Sequence, residues 1–223
     1  MTKGIFVTAT GTDVGKTYVS ALIVKKMREL GLNCGYFKPV LSGAEIVNGK
    51  LVAGDAQYVI NQAQIDAKST DLVSYAFEHA VSPHLASKTE NKPINLAKIK
   101  KDFENISKDF DYILVEGAGG IVCPVNIDNK IMLIDIIKTL NLEVIIVSPA
   151  GLGSINSTVL TVEYAKSKNI NIKGIILNNF DENNLMHIDN KVQIEALTGI
   201  KVVAVVETNA TDIDNLEYLF EEI

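Results

Sequence analysis

The sequence predicts an α/β fold in which a mostly parallel β-sheet is flanked by helices on both faces. Short β-branched runs alternate with segments of helical periodicity along most of the 223 residues, as repeated βαβ units do. The runs at 112–115 and 144–147 are also continuously apolar, which is typical of strands buried on both faces. Both patterns predict the same architecture.

The amino-terminal part begins with a strand predicted at 5–8. Five apolar residues then recur at helical spacing and predict a helix that ends at Gly31, namely Val19, Leu22, Ile23, Met27 and Leu30. A second strand is predicted at 35–38, where it stops before Pro39. The chain therefore opens with a strand, a helix and a second strand.

Two further helices are predicted to begin at Asp55 and Asn95, whose side chains can accept hydrogen bonds from the first backbone N–H groups. The rest of the chain alternates in the same way. Its predicted strands lie at 112–115, 144–147, 174–177 and 202–206, and its predicted helices at 155–166 and 192–197.

Length and composition favour one domain over residues 1–223. The formal net charge of -6 disfavours binding to nucleic acid, and the first apolar run is too short for a signal or membrane segment. Cys34 and Cys123 lie far apart in apolar stretches, so we expect reduced, buried thiols. We expect a cytoplasmic protein that binds neither membrane nor nucleic acid.

Five polar or glycine-rich segments follow predicted strands, and they read TGTDVGKT, FKPVLSG, VEGAGG, SPAGLGSIN and LNNFD. Ligands of parallel sheets bind at the carboxyl ends of the strands. Because all five segments fall at such ends, we expect them to form one composite site.

The phosphate loop, residues 10–17, is the first of these segments. Small residues before a helix allow successive N–H groups to face an anion, while Lys16 reaches the β and γ phosphates and the Thr17 hydroxyl binds magnesium. The usual pattern has glycine where Thr10 stands, and Gly11 lies one position later. The alternative is an ordinary strand-to-helix turn with an exposed lysine.

Three more residues are candidates for the same chemistry. Glu116 ends an apolar strand before glycines and is a candidate magnesium ligand, and Asp55 is a second candidate unless it only caps its helix. Lys38 follows the second strand, where a cation would stabilise charge during transfer, although many such lysines are simply solvated.

Two later loops are candidate binding segments. The sequence AGLGSIN at 150–156 leaves N–H groups free to bind a carboxylate, unless Ser154 only caps the helix. Asn178 and Asn179 carry amides that can read an adenine edge, although adjacent asparagines also form simple turns.

Seven motifs in this order resemble those of the dethiobiotin synthetase family: TGTDVGKT, FKPVLSG, GDA, SPH, VEGAGG, GLGSIN and LNN. The resemblance spans residues 3 to about 180, and VEGAGG with KPVLSG is its most specific part. It implies a single P-loop NTPase domain that works as a homodimer, with the substrate site at the subunit interface. Members of this family convert 7,8-diaminononanoate, CO2 and MgATP to dethiobiotin, ADP and phosphate.

The resemblance also implies roles for individual residues. The catalytic residues beside the diamine, carbamate or phosphoryl group would be Thr12, Asp13, Lys16 and Lys38. The nucleotide would be bound by Asp13, Val14, Gly15, Lys16, Thr17, Tyr18, Glu116, Gly117, Ala118, Gly119 and Asn178, with Asn178 at adenine. Magnesium would be held by Thr17, Asp55 and Glu116. The substrate would contact Ser42 and Pro83, and its carboxylate would contact Gly153, Ser154 and Asn156 of the partner subunit.

Two rival functions are an amide ligase of the same P-loop group, such as a cobyrinic acid amide synthase, and a partition-type ATPase. The first usually has an attached glutaminase domain. The second usually has an additional lysine early in the phosphate loop, which TGTDVGKT lacks.

For the synthetase, we expect alanine at Lys16 or Glu116 to abolish activity and leave the fold intact, since neither residue belongs to the predicted apolar core.

Overall fold

The structure, a computed structural model, describes residues 2–214 together with residues 216 and 219. The prediction of one domain extends to residues 1, 215, 217–218 and 220–223, which lie outside this part. The strands are β1 (Lys3–Ala9), β2 (Cys34–Ser42), β3 (Glu45–Val47), β4 (Lys50–Val52), β5 (Val73–Phe77), β6 (Tyr112–Glu116), β7 (Pro124–Asn126), β8 (Ile131–Met132), β9 (Glu143–Pro149), β10 (Ile172–Asn178) and β11 (Val202–Val206). The helices are α1 (Lys16–Glu29), α2 (Gly54–Ala63), α3 (Pro83–Thr89), α4 (Leu96–Ile106), α5 (Leu133–Leu140), α6 (Ser154–Ser167) and α7 (Leu185–Thr198).

Within the described residues, seven strands form one parallel sheet in the order β11-β10-β9-β1-β6-β2-β5. The central strand β1 pairs with β6 on one side and with β9 on the other. The connection from β1 runs to β2 on one side of the sheet, and the connection from β6 crosses to β9 on the other side of β1. Such a switch point is where parallel sheets bind ligands. The phosphate loop follows β1 directly and therefore lies at that point.

The apolar core lies in two layers, one on each face of the sheet. Successive side chains of a strand point to opposite faces, so Ile5 and Val7 pack in one layer and Phe6 in the other. Helices α1 and α2 cover the first layer, while α4, α5, α6 and α7 contribute to the second. The predicted α/β architecture is confirmed.

The boundaries of several predicted elements are wrong. Strand β2 continues through Pro39 to Ser42 instead of stopping at 38. Pairing with β6 ends at Phe37 and pairing with β5 begins at Lys38, so a proline without an N–H group is accommodated where the strand changes partners. Helix α7 is also longer than the predicted 192–197.

The two predicted helix caps have different outcomes. Asn95 caps α4, because its side chain accepts a hydrogen bond of 2.7 Å from the N–H of Ala97. The prediction for Asp55 is wrong, since Ala53 occupies the capping position and Asp55 lies in the first turn of α2. Its carboxylate is instead directed at Lys38.

The sequence patterns did not reveal β5, α3, α5 or the hairpins β3–β4 and β7–β8. These elements are short, and even the amphipathic α5 spans only eight residues, so none is long enough to establish a helical or alternating period. Within the described ranges, every helix is too short or too polar to cross a lipid bilayer.

Gly35 on β2 lies against the ring of Phe110, and a Cβ added there would be 2.4 Å from the ring carbon Cδ2. We expect Gly35→Ala to lower the free energy of unfolding by roughly 1–3 kcal/mol, because the partly buried ring of Phe110 must move. Gly54 begins α2, and a Cβ added to it would have no atom within 4 Å, so Gly54→Ala is the matched control and should be neutral or stabilising. Urea unfolding measures both, and equal stability of the two variants would contradict the packing argument.

Glu90 clamps the loop after β5: one carboxylate oxygen accepts from the backbone N–H and from the ring of His79, and the other from Lys92. Burial opposes the charge, but these bonds outweigh it and lower the pKa of Glu90 from 4.5 to about 2. The carboxylate therefore stabilises the fold above pH 4.5, and this contribution is lost as the pH falls toward 2.

We expect Glu90→Gln to lower the free energy of unfolding by about 1 kcal/mol at pH 7. The difference from the unsubstituted protein should shrink as the pH falls below 4.5. Urea unfolding at pH 7, 5, 4 and 3 measures it. A difference that does not change over this range would contradict the role of the carboxylate.

Candidate active site

The phosphate loop joins the carboxyl end of β1 to the first turn of α1. Asp13 and Gly15 have left-handed backbone angles, with φ of 58° and 91°, and these turn the loop around the start of the helix. Lys16 is buried, and its Nζ donates to the Gly11 carbonyl at 3.0 Å. The loop is therefore a compact backbone turn with one cation folded over it, and not a turn with an exposed lysine.

The loop after β6 packs directly on the phosphate loop. The N–H of Ile121 donates to the carbonyl of Ala9 at 3.2 Å. A Cβ at Gly120 would lie 3.4 Å from that same oxygen and from Cα of Gly11. Small residues at 117–120 thus allow the two backbones to approach closely, as the motif VEGAGG predicts.

Glu116 is the most enclosed polar group of the site, with no exposed surface. Its Oε1 accepts from the Thr17 hydroxyl at 2.8 Å and from Lys38 Nζ at 2.7 Å. Its Oε2 accepts from the Tyr36 hydroxyl at 2.9 Å. A buried carboxylate with three donors is held in a single orientation.

Lys38 bridges two carboxylates. Its Nζ lies 2.7 Å from Glu116 and 2.5 Å from Asp55. Burial alone would lower the pKa of Lys38, but the two carboxylates outweigh it, so that pKa lies above its ordinary value of 10.5. Lys38 is therefore a buried, paired cation and not a solvated strand-end lysine.

Lys16 shares this environment, but no described carboxylate forms an ion pair with it as close as those of Lys38. Burial, followed by the charge of Lys38, lowers the pKa of Lys16, because the nearby carboxylates offset only part of that effect. We call Lys16, Lys38, Asp55 and Glu116 the lysine–carboxylate cluster. The structure brings these four predicted residues together with Thr17.

Asn178 lies at the end of β10, against the phosphate loop. Its Nδ2 donates to the carbonyl of Val14 at 3.0 Å, and a Cβ at Gly15 would collide with this amide. Its Oδ1 is buried, and no described residue donates a hydrogen bond to it. The amide thus braces the loop and keeps one acceptor available, while Asn179 forms a left-handed turn at φ 55°.

Three predicted nucleotide or substrate contacts lie in the phosphate loop or on its helix. Thr12 and Asp13 are exposed. Tyr18 is half-buried, and its hydroxyl donates to the carbonyl of Ala210.

Ser42 and Pro83 lie on neighbouring elements, since α3 packs against β2. The Oγ of Ser42 is buried and has no hydrogen-bond partner within the part of the chain that the structure describes. Pro83 is the first residue of α3 and is buried. Ser42 therefore carries an unused polar atom at the end of the strand that holds Lys38.

The loop before α6 carries the predicted carboxylate-binding residues. Gly153 is the capping residue of α6, with φ of 89°, so the alternative in which Ser154 caps the helix is wrong. Ser154 is buried, and its Oγ lies 3.5 Å from the carbonyl of Ala150. Gly153 and Asn156 are exposed, and no hydrogen bond among the described residues links this loop to the lysine–carboxylate cluster.

Tyr36 is the residue of the site that the sequence reasoning missed. It is fully buried, and burial, followed by the negative charge of Glu116, raises its pKa well above the ordinary value of 10.0. The available signal was its position two residues before Lys38 on a strand, which places both side chains on one face.

Cys34 and Cys123 are free and buried, as predicted.

Comparisons with known proteins agree with the motif order. A family model described as an AAA domain matches residues 3–214. An ATP-dependent dethiobiotin synthetase BioD of Clostridium botulinum strain Alaska E43 is 56% identical over 96% of this chain and 94% of its own length. That of strain Loch Maree is 52% identical over 100% and 97%, and that of strain 657 is 59% identical over 86% and 85%.

Solved structures with the same fold are more distant in sequence. The septum site-determining protein MinD of Pyrococcus horikoshii, complexed with Mg-ADP, has a TM-score of 0.57 at 18% identity, covering 93% of this chain and 82% of its own. A ParA family ATPase of Chlorobium tepidum has a TM-score of 0.56 at 16% identity, covering 93% and 85%. At such identities the likeness supports the P-loop fold and says nothing of activity.

Proposed function

This chain belongs to the ATP-dependent dethiobiotin synthetase family, and we propose that its lysine–carboxylate cluster is where the reaction takes place. The enzyme is an ATP-dependent ligase that forms carbon–nitrogen bonds. Its substrates are 7,8-diaminononanoate and CO2, and its products are dethiobiotin, ADP and phosphate. The observation that carries the site assignment is Glu116, which is fully buried and bonded to both Thr17 and Lys38.

The reaction requires no protein nucleophile. One amine of the diamine adds to CO2 and releases a proton, which gives a carbamate. A carbamate oxygen then attacks the γ-phosphorus of ATP, and ADP leaves. The second amine attacks the carbonyl of this mixed anhydride, phosphate departs, and the cyclic urea is closed. Each step needs positioning and charge stabilisation more than acid–base chemistry.

The two lysines of the cluster have different parts in this scheme. Lys16, held over the phosphate loop, contacts the β and γ phosphates once its bond to the Gly11 carbonyl is exchanged for phosphate oxygens. Lys38 and the unpaired Ser42 hydroxyl contact the carbamate or the transferred phosphoryl group. Thr12 and Asp13, which are exposed at the loop, face the diamine.

The oxygen donors of the cluster fit magnesium. Two carboxylates and the Thr17 hydroxyl converge where a cation, the Lys38 ammonium, already lies within 2.7 Å of both carboxylates. Magnesium commonly takes one or two carboxylates together with phosphate oxygens and water. When bound, it neutralises charge on the phosphates, and Thr17, Asp55 and Glu116 hold it.

The remaining contacts follow the family resemblance. The free Oδ1 of Asn178 accepts from adenine, while backbone groups at 13–18 and 117–119 surround the phosphates. Pro83 lines the tail of the substrate. Gly153, Ser154 and Asn156 of a partner copy bind the substrate's carboxylate, so the active unit is a homodimer. Exposed Leu152, at 92% of its surface, supports an apolar contact beside this loop.

A cytoplasmic location, expected from the sequence, is part of the same proposal. The rival functions are not favoured. The ParA family ATPase and the MinD proteins share the fold with this chain at 15–18% identity, whereas the synthetases are more than 50% identical to it.

The deciding experiment is a mass-spectrometric product assay with labelled CO2, the diamine, ATP and magnesium. We expect one labelled carbon in dethiobiotin for each phosphate released. ATP hydrolysis that is indifferent to the diamine, or that is stimulated by DNA, would overturn the proposal. Sedimentation of the protein with and without the diamine tests the homodimer.

A further inference from the structure

The phenol of Tyr36 is buried directly beneath Glu116. The side chain has no exposed surface, and its hydroxyl donates to Glu116 Oε2 at 2.9 Å. Phenylalanine would fill the same apolar space without a polar atom to satisfy. Burying a hydroxyl is costly unless it is hydrogen-bonded. The presence of this hydroxyl therefore indicates that its hydrogen bond to Glu116 has a role.

The two oxygens of Glu116 are divided between two sets of donors. Oε1 receives Thr17 and Lys38, which are the groups that face the phosphate loop. Among the described residues, Oε2 accepts a hydrogen bond from Tyr36 alone. Oε1 is thus directed at the phosphate loop, and Oε2 is held by the buried hydroxyl of Tyr36.

The pairing of β2 with β6 fixes the position of the Tyr36 side chain, and with it the separate donors of the two Glu116 oxygens. Tyr36 on β2 is the register partner of Leu114 on β6, so its ring points to the same face as Leu114 and Glu116. Tyr36 and Leu114 belong to the same apolar layer, under α1 and α2. A phenol packed between two sheet strands and two helices has one place for its hydroxyl.

We infer that Tyr36 is a positioning residue, which fixes Glu116 so that Oε1 is presented to magnesium and the nucleotide. The inference rests on the proposed function only for the identity of the ligand. Partners behind a metal-binding side chain set its orientation, and their loss commonly lowers metal affinity 10–100-fold. Tyr36 is fully buried and its hydroxyl donates to Glu116, so in this scheme its effect travels through that carboxylate.

The test removes one oxygen atom, by Tyr36→Phe, and uses ADP as the probe. ADP binding is measured by calorimetry in EDTA and over a titration of magnesium. We expect affinity in EDTA within about twofold of the unsubstituted protein, and a magnesium midpoint raised about 10-fold or more. In turnover, KM for magnesium should rise more than kcat falls. An unchanged magnesium midpoint would overturn the inference.

Tyr75→Phe is the matched control. Tyr75 lies on the neighbouring strand β5, and its hydroxyl accepts a hydrogen bond of 3.0 Å from the N–H of Asn95. Tyr75→Phe therefore also removes one hydroxyl and one hydrogen bond, but away from Glu116. We expect its magnesium midpoint to be unchanged, even where urea unfolding shows lost stability. An equal shift in both variants would mean a general effect of weakened packing and would defeat the inference.

A double-mutant cycle with Glu116→Gln tests the route of the effect. If Tyr36 acts through the carboxylate, Tyr36→Phe should add less than twofold to the magnesium midpoint in the Glu116→Gln background. A full 10-fold effect in that background would refute the inference. The product assay on the unsubstituted enzyme separates the two proposals, because the function fails if no dethiobiotin forms, whereas the Tyr36 inference fails only on magnesium-dependent binding.

Discussion

Replacing Lys16 with alanine is expected to lower kcat for dethiobiotin formation by a factor of roughly 10³. A preorganised donor that faces developing negative charge is worth about 10²–10³ in kcat, and Lys16 adds a full positive charge in a buried setting. The loss should appear mainly in kcat, because the charge on the phosphates shifts most during phosphoryl transfer.

The fold should tolerate this change. The lowered pKa of Lys16 means that its burial and the nearby Lys38 disfavour the ammonium before a nucleotide binds. Removing the charge relieves that cost, so we expect the free energy of unfolding to stay within about 1 kcal/mol of the unsubstituted protein. Urea unfolding and the product assay together check both parts.

Lys100→Ala is the control for Lys16→Ala. Lys100 is exposed on α4 and lies 4.0 Å from Glu104, and such surface pairs contribute little. We expect its kcat to be unchanged. Activity of Lys16→Ala within tenfold of the control would contradict the assignment of Lys16 to the phosphate site.

The sequence predicts which residues form this site better than it predicts how closely they approach one another. The phosphate loop, Lys38 and Glu116 follow from motifs at strand ends, because local chain geometry alone places those groups at one edge of a parallel sheet. How closely they approach each other depends on which strands become neighbours. The order β1-β6-β2 brings Glu116 beside Lys38, and no local pattern contains that order.

The role of Asp55 shows the same limit. As an isolated residue before a helical segment it is equally suited to capping, and only the packing of α2 beside β2 turns its carboxylate toward Lys38. Tyr36 was overlooked because an aromatic residue within an apolar strand is ordinarily part of the core. Its hydroxyl belongs to the site because Glu116, on the neighbouring strand, accepts its hydrogen bond.

Glu116 shows where the reasoning from sequence goes wrong. The expectation that Glu116→Ala leaves the fold intact assumes a residue outside the core, yet the side chain is fully buried and accepts bonds from three groups. Alanine would leave a cavity and remove one of the two anions that balance Lys38. Glutamine keeps the volume, so it separates the loss of charge from the loss of packing.

We expect Glu116→Gln to lower kcat roughly 10²–10³-fold and the free energy of unfolding by about 3 kcal/mol. The amide offers one acceptor where the carboxylate offers two, and Lys38 keeps only Asp55 as an anionic partner. The measurements are the product assay, the magnesium dependence of ADP binding and urea unfolding. Activity within tenfold of the unsubstituted enzyme would contradict the role of the carboxylate.

The stability loss of Glu116→Gln should depend on pH in a defined direction. In the native protein the pKa of Lys38 lies above 10.5, since its two carboxylates outweigh burial, so the pairing stabilises the fold below pH 10.5 and is lost as the pH rises through the higher folded value. With Glu116 neutral, burial dominates and the pKa of Lys38 falls. The difference in unfolding free energy should therefore be largest at neutral pH and shrink as the pH rises from the lowered pKa of Lys38 in the variant to its raised pKa in the native protein. A difference that is constant up to pH 11.5 would show that packing, and not the charge pair, accounts for the loss.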